Sequence, residues 1–122
     1  MLPFGISIRP GRPLHEQIVF AVTKAIITGQ LRPSDPFPSV RTLSQELQIN
    51  PNTAMKAVAT LVERQLLEAR PGVGTTVARW KPATGAGQRA ALTDHIERLV
   101  VEARWLGLDL SDVIDAVRKE WT

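Results

Sequence analysis

Asn50-Pro51 is the strongest punctuation in this chain, and it restricts what the middle of the sequence can become. An asparagine side chain accepts from the free N–H groups of a helix's first turn. A proline in the first helical position gives up no hydrogen bond. A helix therefore starts at Pro51. Ser39 supplies an earlier cap, and Val40, Leu43 and Leu47 follow it at helical spacing. Beyond Asn50, the residues Ala54, Ala57, Val58, Leu61 and Val62 line one inner face. Two short helices joined by a few residues form a helix-turn-helix unit.

The flanking segments extend this unit. Pro13 opens a helix over Leu14 to Thr28, whose apolar face holds Leu14, Ile18, Ala21, Val22, Ala25 and Ile26; Gly29 suits its end. Before it, the alternation of Phe4, Ile6 and Ile8 predicts a short strand. Pro33, Pro36 and Pro38 keep residues 31–38 out of regular helix. After the third helix, Leu66 to Ala69 and Thr75 to Ala78 read as strands around the turn Arg70-Pro71-Gly72-Val73-Gly74, a hairpin in the position of a wing. Residues 80–88 are rich in Gly, Pro and small side chains and read as a linker. Beyond them, Leu92, Ile96, Leu99, Val100 and Ala103 form one helical stripe, closed by Gly107. Asp109 caps a last helix, with Asp112 three residues on, and Val113, Ile114, Val117 and Trp121 form its apolar face. The chain contains no internal repeat.

Composition narrows the function. Cysteine is absent, which removes disulfides and thiolate metal sites. His15 and His95 are the only histidines and no second ligand type stands at ligating spacing, so neither metal nor cofactor is expected. No Walker-type phosphate loop or nucleophile motif is present, and an enzyme is not expected. Met1 to Pro10 lacks the layout of a signal peptide, and no apolar run is long enough to span a membrane, so the expected location is cytoplasmic. Residues 1–80 hold nine Lys/Arg against five Asp/Glu, while residues 81–122 hold six against seven. The basic surplus of this +3 chain lies wholly in its N-terminal part, which fits a nucleic-acid-facing front and a neutral back, although many non-binders carry as much.

In a helix-turn-helix, the second helix enters the major groove with its N-terminal residues at the base edges. Here those residues are Asn50, Asn52, Thr53 and Lys56. Asn and Thr donate and accept hydrogen bonds, and Lys pairs with phosphate. Asn50 and Thr53 have a second reading as caps alone. Arg41, at the start of the preceding helix, either forks onto guanine O6 and N7 or is a solvated surface arginine. Gly72 and Gly74 permit a tight turn and a close backbone approach to DNA, or else a plain hairpin. A winged helix used for protein contacts would expose apolar residues on the third helix. Asn52, Thr53 and Lys56 favour DNA instead.

Several stretches resemble the GntR family of repressors: Pro13-Leu14-His15-Glu16-Gln17-Ile18, Leu31-Arg32-Pro33, Pro38-Ser39-Val40-Arg41-Thr42-Leu43, Ile49-Asn50-Pro51-Asn52-Thr53 and Gly72-Val73-Gly74-Thr75. They run in the family's order from Pro13 to Val77. The short two-helix tail is similar to the YtrA-like subgroup, whose C-terminal part mainly dimerises. The resemblance implies operator contacts from Arg41, Asn52, Thr53 and the wing glycines Gly72 and Gly74, and target genes that encode membrane transporters. The expected DNA-binding set also includes Ser39, Asn50, Lys56, Arg70 and Thr75. Four positions depart from the family pattern. Ser34-Asp35 replaces Gly-Asp, Gln65 replaces Gly after the third helix, Val73 replaces a basic wing tip, and Met55 replaces an Arg. A left-handed Gln65 costs about 1 kcal/mol, unless the turn differs.

The expected fold is mainly α. Residues 1–79 form a winged helix-turn-helix of three helices and a β-hairpin wing, residues 80–88 a linker, and residues 89–122 a helical dimerisation tail. Two amphipathic helices bury too little alone, so a homodimer through Leu92, Ile96, Leu99, Val100, Ala103, Val113, Ile114, Val117 and Trp121 is expected. The expected partner is double-stranded operator DNA. The tail is too small to enclose a metabolite as larger relatives do; a ligand at the dimer interface stays open, and the sequence does not identify an effector.

Overall fold

A computed structural model describes residues 1–82 and 87–121. The chain divides into two compact units, Met1–Lys81 and Pro82–Thr122. The central residues of the expected linker, 83–86, lie outside the described residues, as does Thr122 at the end of the expected tail.

The first unit contains α1 (Leu14–Ile27), α2 (Val40–Leu47) and α3 (Pro51–Glu63), then β1 (Leu67–Arg70) and β2 (Gly74–Val77). Ser39 caps α2 by accepting from the Thr42 amide at 3.1 Å, and Asn50 caps α3 by accepting from the Asn52 amide at 2.8 Å. The core joins Ile18, Val22, Ala25 and Ile26 of α1 to Leu43 of α2 and to Ala54, Ala57 and Leu61 of α3. The alanines on α3 let the helices pack closely. Leu67 and Val77, cross-strand partners, close the core from the wing side. Val62 departs from its expected inward position: it is exposed at the edge of the buried face.

The strand expected at Phe4, Ile6 and Ile8 does not form. Alternation is present, but it serves packing without a ladder. Phe4 is buried and stacked on Phe37, with ring centroids 5.8 Å apart and planes 6° apart. Ile6 packs partly against the core, and Ile8 remains exposed. The segment is held by a side chain instead of a strand: Gln17 accepts from the Arg9 amide and donates to the carbonyls of Arg9 and Arg12.

The proline-rich stretch runs along the free edge of β2. Pro36 lies opposite Thr76 in an antiparallel bridge, flanked by bonds from Phe37 N to Thr75 O and from Val77 N to Asp35 O. Those bonds bypass residue 36, so the missing proline N–H costs nothing there. Ser34 sits at φ 74°, in the left-handed region that glycine occupies most cheaply, and its amide donates to Val77 O at 2.8 Å.

Both helix-turn-helix helices end on left-handed glutamines. After α3, Gln65 has φ 61°; its amide donates to Val62 O, and the Leu66 amide donates to Leu61 O. After α2, Gln48 has φ 53°, with the matching bonds Gln48 N to Gln45 O and Ile49 N to Ser44 O. This is the Schellman pattern, which satisfies carbonyls that the helix end leaves free.

The second unit contains α4 (Gln88–Trp105) and α5 (Leu110–Glu120), joined through Gly107 at φ 77°. Asp109 and Asp112 form a reciprocal capping box at the start of α5, each side chain accepting from the other's backbone amide.

Candidate nucleic-acid interface

The N-terminal turns of α2 and α3 carry most of the expected DNA contacts. Their chemistry is unusual for exposed helix starts. A helix N-terminus favours acidic side chains, yet neither first turn contains one. The positive ends of both helix dipoles are thus left open to an external anion.

Arg41 is exposed in the first turn of α2, two residues after the Ser39 cap. Asn52 and Lys56 are exposed one turn apart on α3, with Pro51, Met55 and Ala59 on the same solvent side. Neither Arg41 nor Lys56 takes part in an ion pair among the described residues. Their charges are available to a partner. Ser39 and Asn50 are both engaged as caps through one side-chain oxygen. Thr53 is half-buried, and its amide donates to Asn50 O at 3.0 Å. Asn52 and Lys56 therefore present more reactive surface than Asn50 and Thr53 do.

The wing turn follows from its glycines. Val73 N donates to Arg70 O at 3.1 Å, closing a four-residue turn with Pro71 second and Gly72 third. Gly72 has φ 77°, the sign a type II turn demands at that place, and Gly74 has φ 105° where it pairs with Arg70. Val73, at the tip, is 73% exposed. Arg70 is not free: its guanidinium donates to Glu68 of the same strand at 3.1 Å. A phosphate contact from Arg70 requires that exposed pair to open, at small cost. Thr75 is half-buried on β2. The bond from Phe37 to Thr75 links the wing to the approach to α2, so the wing and the Ser39-Arg41 end share one support. Residue patterns named the two helix starts and the hairpin. They did not show this link, because a stretch with three prolines carries no strand signal.

The match to known proteins covers this region. Residues 14–77 match the model of the bacterial regulatory proteins of the gntR family. The chain belongs to the GntR family. Its members are transcription regulators with a DNA-binding helix-turn-helix, not enzymes. Along nearly its whole length this GntR chain is similar to the HTH-type transcriptional repressor YtrA of Bacillus subtilis, at 27% identity over 93% of this chain and 88% of YtrA. It is also similar to the HTH-type transcriptional regulator Rv1152 of Mycobacterium tuberculosis, at 31% identity over 89% of this chain and 86% of that protein. Among solved structures, a GntR family transcriptional regulator from Listeria monocytogenes superposes with a TM-score of 0.66 at 27% identity, covering 92% of this chain and 98% of that one. The fold is the winged helix-turn-helix, and the similarity to YtrA along nearly the whole chain makes this a YtrA-like GntR regulator.

The tail carries the other expected site. Leu92, Ile96, Leu99, Val100, Ile114, Val117 and Trp121 are exposed, Val113 is half-buried and Ala103 is buried. Sequence reasoning missed Trp105, Leu106, Leu108 and Leu110, which are exposed too. They lie at the α4–α5 junction, where helical periodicity breaks. An open apolar cleft of about 420 Å³ sits at that elbow, lined by Val100, Ala103, Leu108, Leu110 and Val113 beside Arg104 and Asp109. No helix among the described residues is long and apolar enough to cross a membrane.

Proposed function

We propose that this GntR regulator is a cytoplasmic homodimeric repressor that binds operator DNA and blocks transcription sterically. The observation that carries the reading is the pair of acid-free helix starts bearing unengaged Arg41, Asn52 and Lys56. In this reading α3 lies in the major groove. Arg41, Asn52 and Thr53 read bases, and Lys56 and the caps Ser39 and Asn50 meet the backbone. Arg70, Gly72, Gly74 and Thr75 bring the wing against the flanking DNA.

The dimer forms through residues 89–122. Apolar area of this extent on two helices is unstable in water, and a second copy of the same two helices covers it with two-fold symmetry. The name of the similar Bacillus subtilis protein, a transcriptional repressor, supports the direction of control. The YtrA-like resemblance supports a transporter-type operon as the target.

Footprinting on the promoter of the chain's own operon tests the proposal. Two protected half-sites are expected, with centres about 34 Å apart along the duplex. An asymmetric single footprint, or none, counts against it.

A further inference from the structure

Met55 stands out on the recognition surface. It is 54% exposed, while Ala54 and Ala57 on either side are fully buried. It lies three residues after Asn52 and directly before Lys56, on the same solvent side of α3, and Ala59 one turn on is small. The helix has no need of Met55 for its core, and a long apolar side chain is being held in water.

We propose that Met55 reads the 5-methyl group of a thymine, which makes an A·T pair a determinant of the operator half-site. The inference rests on the reading that places α3 in the major groove. There, bases present donors, acceptors and one apolar feature, the thymine methyl. A thioether donates nothing and accepts weakly, so the methyl is the feature it complements. Its three rotatable bonds let it seat against a methyl whose position is set by the contacts of Asn52 and Lys56. The small Ala59 leaves room for the groove wall on the following turn.

The test is a double-mutant cycle on DNA. Sites are first selected from a randomised duplex library with the full-length chain. Each thymine of one selected half-site is then exchanged for deoxyuridine, which deletes the methyl alone. One exchange is expected to weaken binding about four-fold, the worth of one methyl buried against hydrocarbon. With Met55→Ala, thymine and deoxyuridine at that position are expected to bind equally. Met55 is exposed, so Met55→Ala is expected to unfold at the wild-type temperature, which separates binding from folding. If every exchange leaves wild-type affinity unchanged, or if Met55→Ala keeps the full deoxyuridine penalty, the inference is overturned. If the library yields no enriched sequence at all, the recognition-helix reading fails, and this inference falls with it.

Discussion

The amide of Phe37 donates to the carbonyl of Thr75 at 2.9 Å. Two residues later, Ser39 caps α2, and Arg41 follows in its first turn. On the other side of the bond, β2 leads back to the wing tip. One backbone hydrogen bond thus joins two parts of the proposed DNA surface, and Phe4 stacked on Phe37 backs it with buried aromatic area. A rigid link of this kind lets the wing and the helix-turn-helix dock as one body, without an ordering cost at binding.

The same strand contains a flaw that can be repaired. Thr76 is buried and its hydroxyl has no hydrogen-bond partner among the described residues. Leaving a hydroxyl unsatisfied costs about 1–3 kcal/mol. Thr76→Val keeps the branched shape and removes the hydroxyl, so it is expected to stabilise the first unit by about 1 kcal/mol. Urea midpoints at constant m-value report it. A lower midpoint would show that the hydroxyl bonds to something in solution.

Gln65 offers a second gain. At φ 61° a side chain with a Cβ is strained by about 1–2 kcal/mol, and part of that is returned by a less flexible unfolded chain. Gln65→Gly is expected to add about 1 kcal/mol of stability, and Gln65→Val to remove at least as much, because β-branching suits that region worst. Thermal unfolding of both variants decides the sign. A neutral Gly variant would mean the turn relaxes on its own.

Much of this architecture is legible in the residues because it follows local rules. Ser39, Asn50-Pro51 and Asp109 mark helix starts by their capping chemistry, and each stands as a cap. Gly29 and Gly107 mark helix ends and have positive φ. What is not legible depends on tertiary partners. Alternation at Phe4, Ile6 and Ile8 looks like a strand, but the segment joins no ladder among the described residues, and Phe37 captures Phe4 instead. The free edge of β2 is taken by residues 34–37, where Pro36, between Pro33 and Pro38, hides the pairing. Gln48 adopts a left-handed conformation that only glycine announces, whereas at Gln65 the family's glycine pointed to it. The helix starts of the proposed DNA site were read from residue type; the commitment of Arg70 to Glu68 was not, since it depends on strand geometry.

The capping box of α5 gives the tail a response to acid. The Asp109 carboxyl lies below its usual value of 3.8, chiefly because it accepts from the Asp112 amide, and next because Ser111 donates to it. A depressed carboxyl contributes stability that is complete above its unfolded value and is lost as pH falls through its folded value. The tail helicity is therefore expected to decline below pH 3.8, and Asp109→Asn, which keeps an acceptor without the charge, should flatten that part of the curve. Far-ultraviolet circular dichroism from about pH 5 to about pH 2 follows it. Identical acid limbs for both proteins would remove Asp109 from the account.

In the proposed dimer the tail decides the oligomeric state. A chain ending after Lys81 keeps Trp80, which packs against the first unit's core, and loses the whole exposed apolar surface of α4 and α5. It is expected to fold and to sediment as a monomer, while the full chain sediments as a dimer. A truncated chain that still dimerises at micromolar concentration would falsify the tail interface.

Arg41 gives the sharpest prediction about specificity. It is exposed, without an ion-pair partner among the described residues, and set on the first turn of α2 beside the Ser39 cap. The backbone link to β2 fixes that turn against the wing, so the direction of approach to DNA is set before binding. A guanidinium offers a planar fork that matches guanine O6 and N7, worth about 1–3 kcal/mol of discrimination against the wrong base. A phosphate requires only charge. Lysine keeps the charge and loses the fork. Arg41→Lys is therefore expected to lower the ratio of specific to non-specific affinity by about five-fold or more, with non-specific affinity nearly unchanged. Arg41→Ala is expected to lower both, the specific term more. Titration of each variant against operator and scrambled duplexes at one salt concentration separates the two roles. If Arg41→Lys preserves the full ratio, Arg41 is a phosphate clamp, and base reading on this surface passes to α3.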